Sequence, residues 1–317
     1  MHRGASALLP SAPLGAALAA AAMLLFAACS ITTASVMRRL DTDAGAMIAA
    51  LVNVPLGILM VLGQLLWMGA LQPPSLPGVL GFLLAGVFST YLGRWLFFKS
   101  IESAGPTRAT SFQTSSPLIT ALLGWIFLGQ VLSPLALAGI ALGVLGLATT
   151  VLGSRRARQP AMPQPQQPSV DLRSFVLIGL GSSTAYAISH VLRAGAIASW
   201  NEPVAGVALG ACTGTLALVL VHRRQRLPLR QRIVAQPRAA LAYAGVGCMQ
   251  ILAQVCMVAA LAHIPASIAA LIALCSPLVV MPASLLLFRN REGIGLFVVL
   301  GMLITMGGVA LTMVQAG

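Results

Sequence analysis

Carboxylates are nearly missing from this chain: Asp and Glu together number 6 among 317 residues, and charged residues of both signs make up 8%. Soluble domains carry about a quarter. With 58% of residues hydrophobic and a mean hydropathy of +0.92, a water-soluble fold of this size has no interior large enough for the apolar surface. The bilayer must be the solvent for most of it. The six acids are Asp41, Asp43, Glu102, Asp171, Glu202 and Glu292, and all fall in loops or at the ends of apolar stretches. A multidrug antiporter that exchanges protons for cations needs a mid-membrane carboxylate to hold either ion. The placement of the acids argues against that mechanism.

Lysine is rarer still, with Lys99 alone, so the net charge of +13 is carried by arginine. Nucleic acid is a poor partner for this charge, because it lies almost wholly in short loops where it orients helices. The four histidines, His2, His190, His222 and His263, are scattered, and none pairs with a carboxylate at helical spacing. An integral-membrane enzyme needs a nucleophile, a base or a metal cluster near the interface, and none is evident. Cys29, Cys212, Cys248, Cys256 and Cys275 lie inside apolar runs without a CxxC pair. They read as small packing residues, so neither a metal nor a cofactor is expected.

What the chain does have is one block twice. Ser116-Pro117-Leu118 recurs as Ser276-Pro277-Leu278, 160 residues later by subtraction of the numbers. Each is followed by a polar break, Leu128-Gly129-Gln130 and Arg289-Asn290-Arg291-Glu292, and then by a Gly-rich apolar run, Leu135–Val151 and Gly295–Val314. A tandem repeat in an apolar chain marks a secondary transporter. Ten apolar stretches, each near the about 20 residues that a crossing helix needs, are expected at 14–36, 45–68, 77–99, 106–127, 133–153, 174–193, 203–222, 239–261, 266–288 and 294–315. A polar linker at 154–172, with Arg155, Arg156, Arg158 and several prolines, divides a first repeat at 14–153 from a second at 173–315. Val36-Met37-Arg38 matches Val191-Leu192-Arg193 at the ends of the first and sixth spans, and Arg94 falls opposite Gln254. Five spans is an odd number, so the second copy crosses in the reverse sense, the architecture from which alternating access follows.

Arg3, Leu14–Phe26 and Ala27-Ala28-Cys29 resemble a lipoprotein signal peptide. The repeat nevertheless requires the first span as partner of the sixth, so the span is expected to be retained. Every Lys and Arg except Arg3, Arg94 and Arg193 is assigned to the loops after spans one, three, five, seven and nine. The positive-inside rule places these loops in the cytoplasm and both termini outside.

Two five-helix halves, Ser-Pro-Leu in the fourth helix of each, and Leu128-Gly129-Gln130-Val131-Leu132-Ser133 between helices four and five resemble the EamA family of the drug/metabolite transporter superfamily. Gln130 stands where the family usually has Glu. The second copy, Phe288-Arg289-Asn290-Arg291-Glu292, keeps the acid but is two residues longer. The resemblance covers nearly the whole chain. It implies an all-α integral membrane protein, ten transmembrane helices as two inverted five-helix repeats, in the inner or plasma membrane, as a monomer or homodimer. It also implies a central cavity bounded by the first, third, fourth, sixth, eighth and ninth spans. The substrate is left open, because the family moves amino acids, their relatives and many other metabolites. Family members are often drawn with both termini cytoplasmic, and the usual basic loop after helix two is uncharged here (Gly69–Gly78).

Polar residues deep in a span are costly and mark function unless they only join helices. Several occur at helical spacing: Tyr91 and Arg94; Gln113, Ser116 and Thr120; Tyr186 and His190; Gln250 and Gln254; and Ser276 in the second Ser-Pro-Leu. These are the candidate cavity residues. Arg94 either grips a substrate carboxylate or phosphate through its planar fork or snorkels past Lys99 to the interface. His190 either shuttles protons or hydrogen-bonds a hydroxyl in the first span. Pro117 and Pro277 sit mid-span at equivalent sites, as gating hinges or as plain kinks. Trp67, Trp95, Trp125 and Trp200 lie near span ends and read as interfacial anchors. The leading reading is a permease or exporter of a small neutral, zwitterionic or anionic metabolite working by alternating access. A passive channel, a membrane sensor module and an integral-membrane enzyme are the alternatives.

Overall fold

The computed structural model describes residues 12–113, 115–128, 134–156, 172–222, 229–260, 263–264, 272–273, 275–288 and 295–313. Those residues form helices and short connections, with no strand among them. In chain order the helices are α1 (Ala12–Val36), α2 (Thr42–Met68), α3 (Leu76–Gly86), a π-helical segment (Val87–Gly93), α4 (Arg94–Ala104), α5 (Pro106–Gln113), α6 (Ser116–Leu128), α7 (Pro134–Arg156), α8 (Leu172–Ser199), α9 (Pro203–His222), α10 (Leu229–Ala235), α11 (Pro237–Ala260), α12 (Ser276–Phe288) and α13 (Leu296–Met313). Proline opens α5, α7, α9 and α11, where its missing N–H would be unpaired anyway. Asp41 caps α2 by accepting the Ala44 amide at 3.1 Å, and Gly69, at φ +77°, ends it in the left-handed conformation that glycine alone adopts without cost.

Among the described residues, six stretches are long and apolar enough to cross a bilayer: Pro13–Val36, Thr42–Trp67, Leu76–Ser103, Arg173–Ser199, Pro203–Val221 and Pro237–Ala260. Leu59, Leu66, Leu177 and Leu241 are exposed on their outer faces, as a lipid solvent demands.

Helix pairing follows the repeat. Helix α2 lies against α9 with Gly57 on Ala208, and Thr215 donates to the Ala50 carbonyl at 2.9 Å, so the two run antiparallel. Helices α7 and α13 are also antiparallel, with Gly146 on Thr305, Thr150 on Gly301 and Gly143 on Gly308. By contrast α3 and α9 run parallel through Phe82–Gly206, Gly86–Gly210 and Thr90–Gly214. Their counterparts α11 and α2 do the same through Tyr243–Gly45 and Gly247–Ala49. A methyl at Gly86, Gly146 or Gly247 would run into the facing backbone. Small residues here let backbones approach in a solvent that gives no hydrophobic push.

The structure corrects several expectations. The fourth span is broken: α5 ends at Gln113 and α6 begins at Ser116, with the Ser115 amide on the Phe112 carbonyl at 3.0 Å. At the repeat-equivalent place the Cys275 amide bonds the Ile272 carbonyl, also at 3.0 Å. Pro117 and Pro277 are therefore the second residues of new helices rather than mid-helix kinks, and removing an N–H there costs nothing. The sixth span continues to Ser199, so Arg193 is a buried core residue, whereas Arg38 is exposed beyond the end of α1. The match of Val36-Met37-Arg38 with Val191-Leu192-Arg193 fails for that reason. Arg108, counted with the loop charges, is buried inside α5. Cys29 is buried in α1, with its thiol on the Val246 carbonyl, so this helix packs into the core. Trp67 is 89% exposed, as an anchor should be. Trp200 is instead buried, edge-on to Phe82 and donating to the Gln72 carbonyl, and Trp95 donates to Asp43. The breaks at 129–133 and 289–294 and most of the linker lie outside the described residues.

A buried polar cluster between the two halves as candidate functional site

The site starts from a backbone irregularity. In the segment Val87–Gly93 the ladder shifts to π-type bonding, and the Arg94 amide reaches back to the Ser89 carbonyl. Such turns are rare and frequently functional. The Gly93 carbonyl, at the end of this segment, accepts from Ser182 Oγ at 3.0 Å. Gln113 Nε2 in turn donates to Ser182 Oγ at 2.7 Å. Next to it, Ser183 Oγ donates at 2.6 Å to the Phe112 carbonyl, which also accepts from the Ser115 amide at the break in the fourth span. Serines of α8 thus satisfy the irregular backbone of the first half, as a membrane interior requires.

Arg94 is 1% exposed. It does not snorkel. Both its Nη groups meet the Asn53 carboxamide; with that amide turned so that its oxygen faces them they donate at 2.7 and 2.9 Å, and its nitrogen then donates to the Ala49 and Gly247 carbonyls. Its Nε has no hydrogen-bond partner among the described residues. Arg193 enters from α8. Its Nη2 donates to Ser89 Oγ at 2.8 Å and to Gln254 Oε1 at 2.7 Å. Tyr186, two turns earlier on α8, lies within electrostatic reach of both guanidiniums, and they of one another. Cys29 of α1 lies within electrostatic reach of Arg94 and Tyr186. None of the ion pairs among the described residues includes either arginine.

His190 is exposed on α8, three residues before Arg193. Unpartnered buried oxygens occur on the contributing helices: Thr33 Oγ1 on α1, Ser189 Oγ on α8 and Gln250 Oε1 on α11. Each is costly unless something polar meets it.

Of the candidate residues, the structure brings Arg94, Tyr186, His190, Gln250 and Gln254 onto helices that meet at this cluster, and Gln113 joins it through Ser182. Tyr91 packs in the π segment against the apolar core. Ser116 and Thr120 open α6, where Thr120 Oγ1 donates to the Ser116 carbonyl at 2.9 Å, and Ser276 opens α12. No hydrogen bond joins those three to the arginines among the described residues. Sequence reasoning missed Asn53, Ser89, Ser182, Ser189 and Arg193. The stripe Tyr186–His190 continues to Arg193 at i+7, a signal hidden by ending the span there.

Apolar helices long enough to cross a bilayer, packed around a buried polar cluster, define a multi-pass membrane protein. The sequence pattern of the EamA-like transporter family matches residues 13–152 and again 173–314, so the chain belongs to that family. It is 32% identical over 99 residues to "Uncharacterized transporter YwfM" of Bacillus subtilis (strain 168). That stretch covers 31% of this chain and 33% of the relative. A solved crystal structure of 16% identity superposes with a TM-score of 0.63 over 96% of this chain and 99% of its own, which establishes the fold alone.

Proposed function

We propose that this transporter is a ten-span carrier built as two inverted five-helix repeats, moving a small neutral, zwitterionic or anionic metabolite, such as an amino acid or its relatives, by alternating access. The carrying observation is that repeat-equivalent helices, α2 with α9 and α7 with α13, pair antiparallel while the arginine cluster draws on both halves. Two inverted halves around one polar site can open it to either side by swapping conformations. Arg94, Tyr186, His190, Gln250 and Gln254 form the substrate wall, with Tyr91, Gln113, Ser116, Thr120 and Ser276 toward the broken fourth and ninth spans. Pro117 and Pro277 act as hinge points where those helices restart.

The test replaces the five native cysteines, introduces His190→Cys and applies a membrane-impermeant maleimide from each side of oriented vesicles. A carrier gives labelling from either side, with substrate shifting the ratio. Simultaneous labelling from both sides, with non-saturating flux, identifies a channel.

The loop arginines orient this carrier with its termini outside the cytoplasm. Helix α7 ends in Arg155-Arg156, and Arg232 of α10 pairs with Asp41 at 2.9 Å, so both belong to the basic face. A C-terminal alkaline phosphatase fusion should be active and a fusion fluorescent only in the cytoplasm dark. Bright fluorescence would reverse the assignment.

A further inference from the structure

We infer that Arg94 and Arg193 together form an oxyanion site, so that the solute carried is an organic acid held through a carboxylate or phosphate rather than a neutral compound; this rests on the carrier reading above. The argument is one of charge. Taking a guanidinium out of water costs several kcal/mol, which neutral hydrogen bonds offset only in part. Here two lie within reach of one another and repel. Every carboxylate among the described residues is engaged elsewhere. Asp41 pairs with Arg232, Asp43 with Lys99 at 3.4 Å, and Glu102 with Lys99 at 3.2 Å and with Thr42. Glu202 accepts from Gln64 Nε2 at 2.7 Å and from the Gln72 amide at 2.8 Å.

The unused donors point the same way. Arg94 Nε is buried and unpartnered. Arg193 spends only Nη2, leaving Nε and Nη1 without a hydrogen bond among the described residues. Each neutral partner instead serves as a positioning group. Asn53 fixes one guanidinium, and Ser89 with Gln254 fixes the other, each by an oxygen that accepts without cancelling the charge. A planar guanidinium held this way presents its remaining N–H groups to an oxyanion. One arginine comes from each half, so the acid would bridge the repeats whose relative motion moves it.

The experiment measures the melting temperature of the full-length protein in a non-ionic detergent at constant ionic strength. The probes are two acids, succinate and glycerol 3-phosphate, each paired with its uncharged counterpart, succinamide and glycerol. At least one acid should raise the melting temperature by about 5 °C at saturation, and neither neutral compound should. Which acid acts separates carboxylate from phosphate recognition. Arg94→Gln and Arg193→Gln should each lose the shift, with Arg193→Lys keeping part of it. Should Arg193→Gln fail to fold, phenylglyoxal modification of the wild-type protein, mapped by mass spectrometry, takes its place, and the acid should slow reaction at both arginines. The inference is overturned if neither acid shifts melting or protects the arginines, if the neutral compounds stabilise equally, or if the shift survives in Arg193→Gln. A protein that alternates in the maleimide assay yet ignores both acids keeps the carrier reading and loses only this one.

Discussion

Arg94→Gln should lower transport sharply while leaving the protein at its normal level in the membrane. Glutamine is the informative replacement because the repeat-equivalent position is Gln254, which the fold already accommodates as a buried side chain. Its amide can still donate to the Asn53 oxygen that now receives both Nη groups, so α2 and α4 stay joined. What is lost is the charge and the free Nε. A hydrogen bond to a charged partner contributes about 1.5–3 kcal/mol, so uptake should fall by about 10–100-fold, read in proteoliposomes with a radiolabelled solute taken from a thermal-shift screen of metabolites. Unchanged kinetics at normal protein level would make Arg94 a structural cross-link. Arg94→Leu separates the two roles further. It removes the link to Asn53 as well, and should lower stability where the glutamine variant does not.

Much of the architecture is legible in the sequence because hydropathy and repeat spacing are local signals. The turns at Phe112–Ser115 and Ile272–Cys275 sit at equivalent places just before the two Ser-Pro-Leu triplets. The sense of Pro117 was harder to read. A proline inside an apolar run looks the same whether it kinks one helix or starts the next, and only the Ser115–Phe112 turn decides. Arg193 was lost for a related reason. A hydropathy window weighs the arginine alone and ends the helix there, but the partners that make its burial tolerable, Ser89 and Gln254, stand 104 and 61 residues away. The same distance hides Asn53 as the partner of Arg94, and nothing in Val87–Gly93 announces a π-helical turn. Trp200 looked like an anchor by position, yet Gln72 and Phe82 draw it inward. Each miss is a tertiary partner overriding a local cost.

An imposed pH gradient should not drive the solute against its own gradient, and a protonophore should leave transport largely unchanged. Proton coupling in a membrane core needs a group that binds and releases a proton where the substrate also acts. The carboxylates among the described residues are held in contacts at the helix ends: Asp41 and Asp43 at the start of α2, Glu102 near the end of α4 and Glu202 just before α9. None of them joins the arginine cluster. His190 is the candidate cavity residue whose ordinary pKa falls near neutrality, which makes it the internal control. In proteoliposomes with an inward pH gradient and equal solute on both sides, no accumulation is expected, and exchange of labelled for unlabelled solute should proceed at the same rate with or without the gradient. In His190→Gln the exchange that remains should be equally insensitive to the gradient. Accumulation that disappears in His190→Gln while downhill exchange persists would make His190 the proton carrier and overturn the facilitator reading.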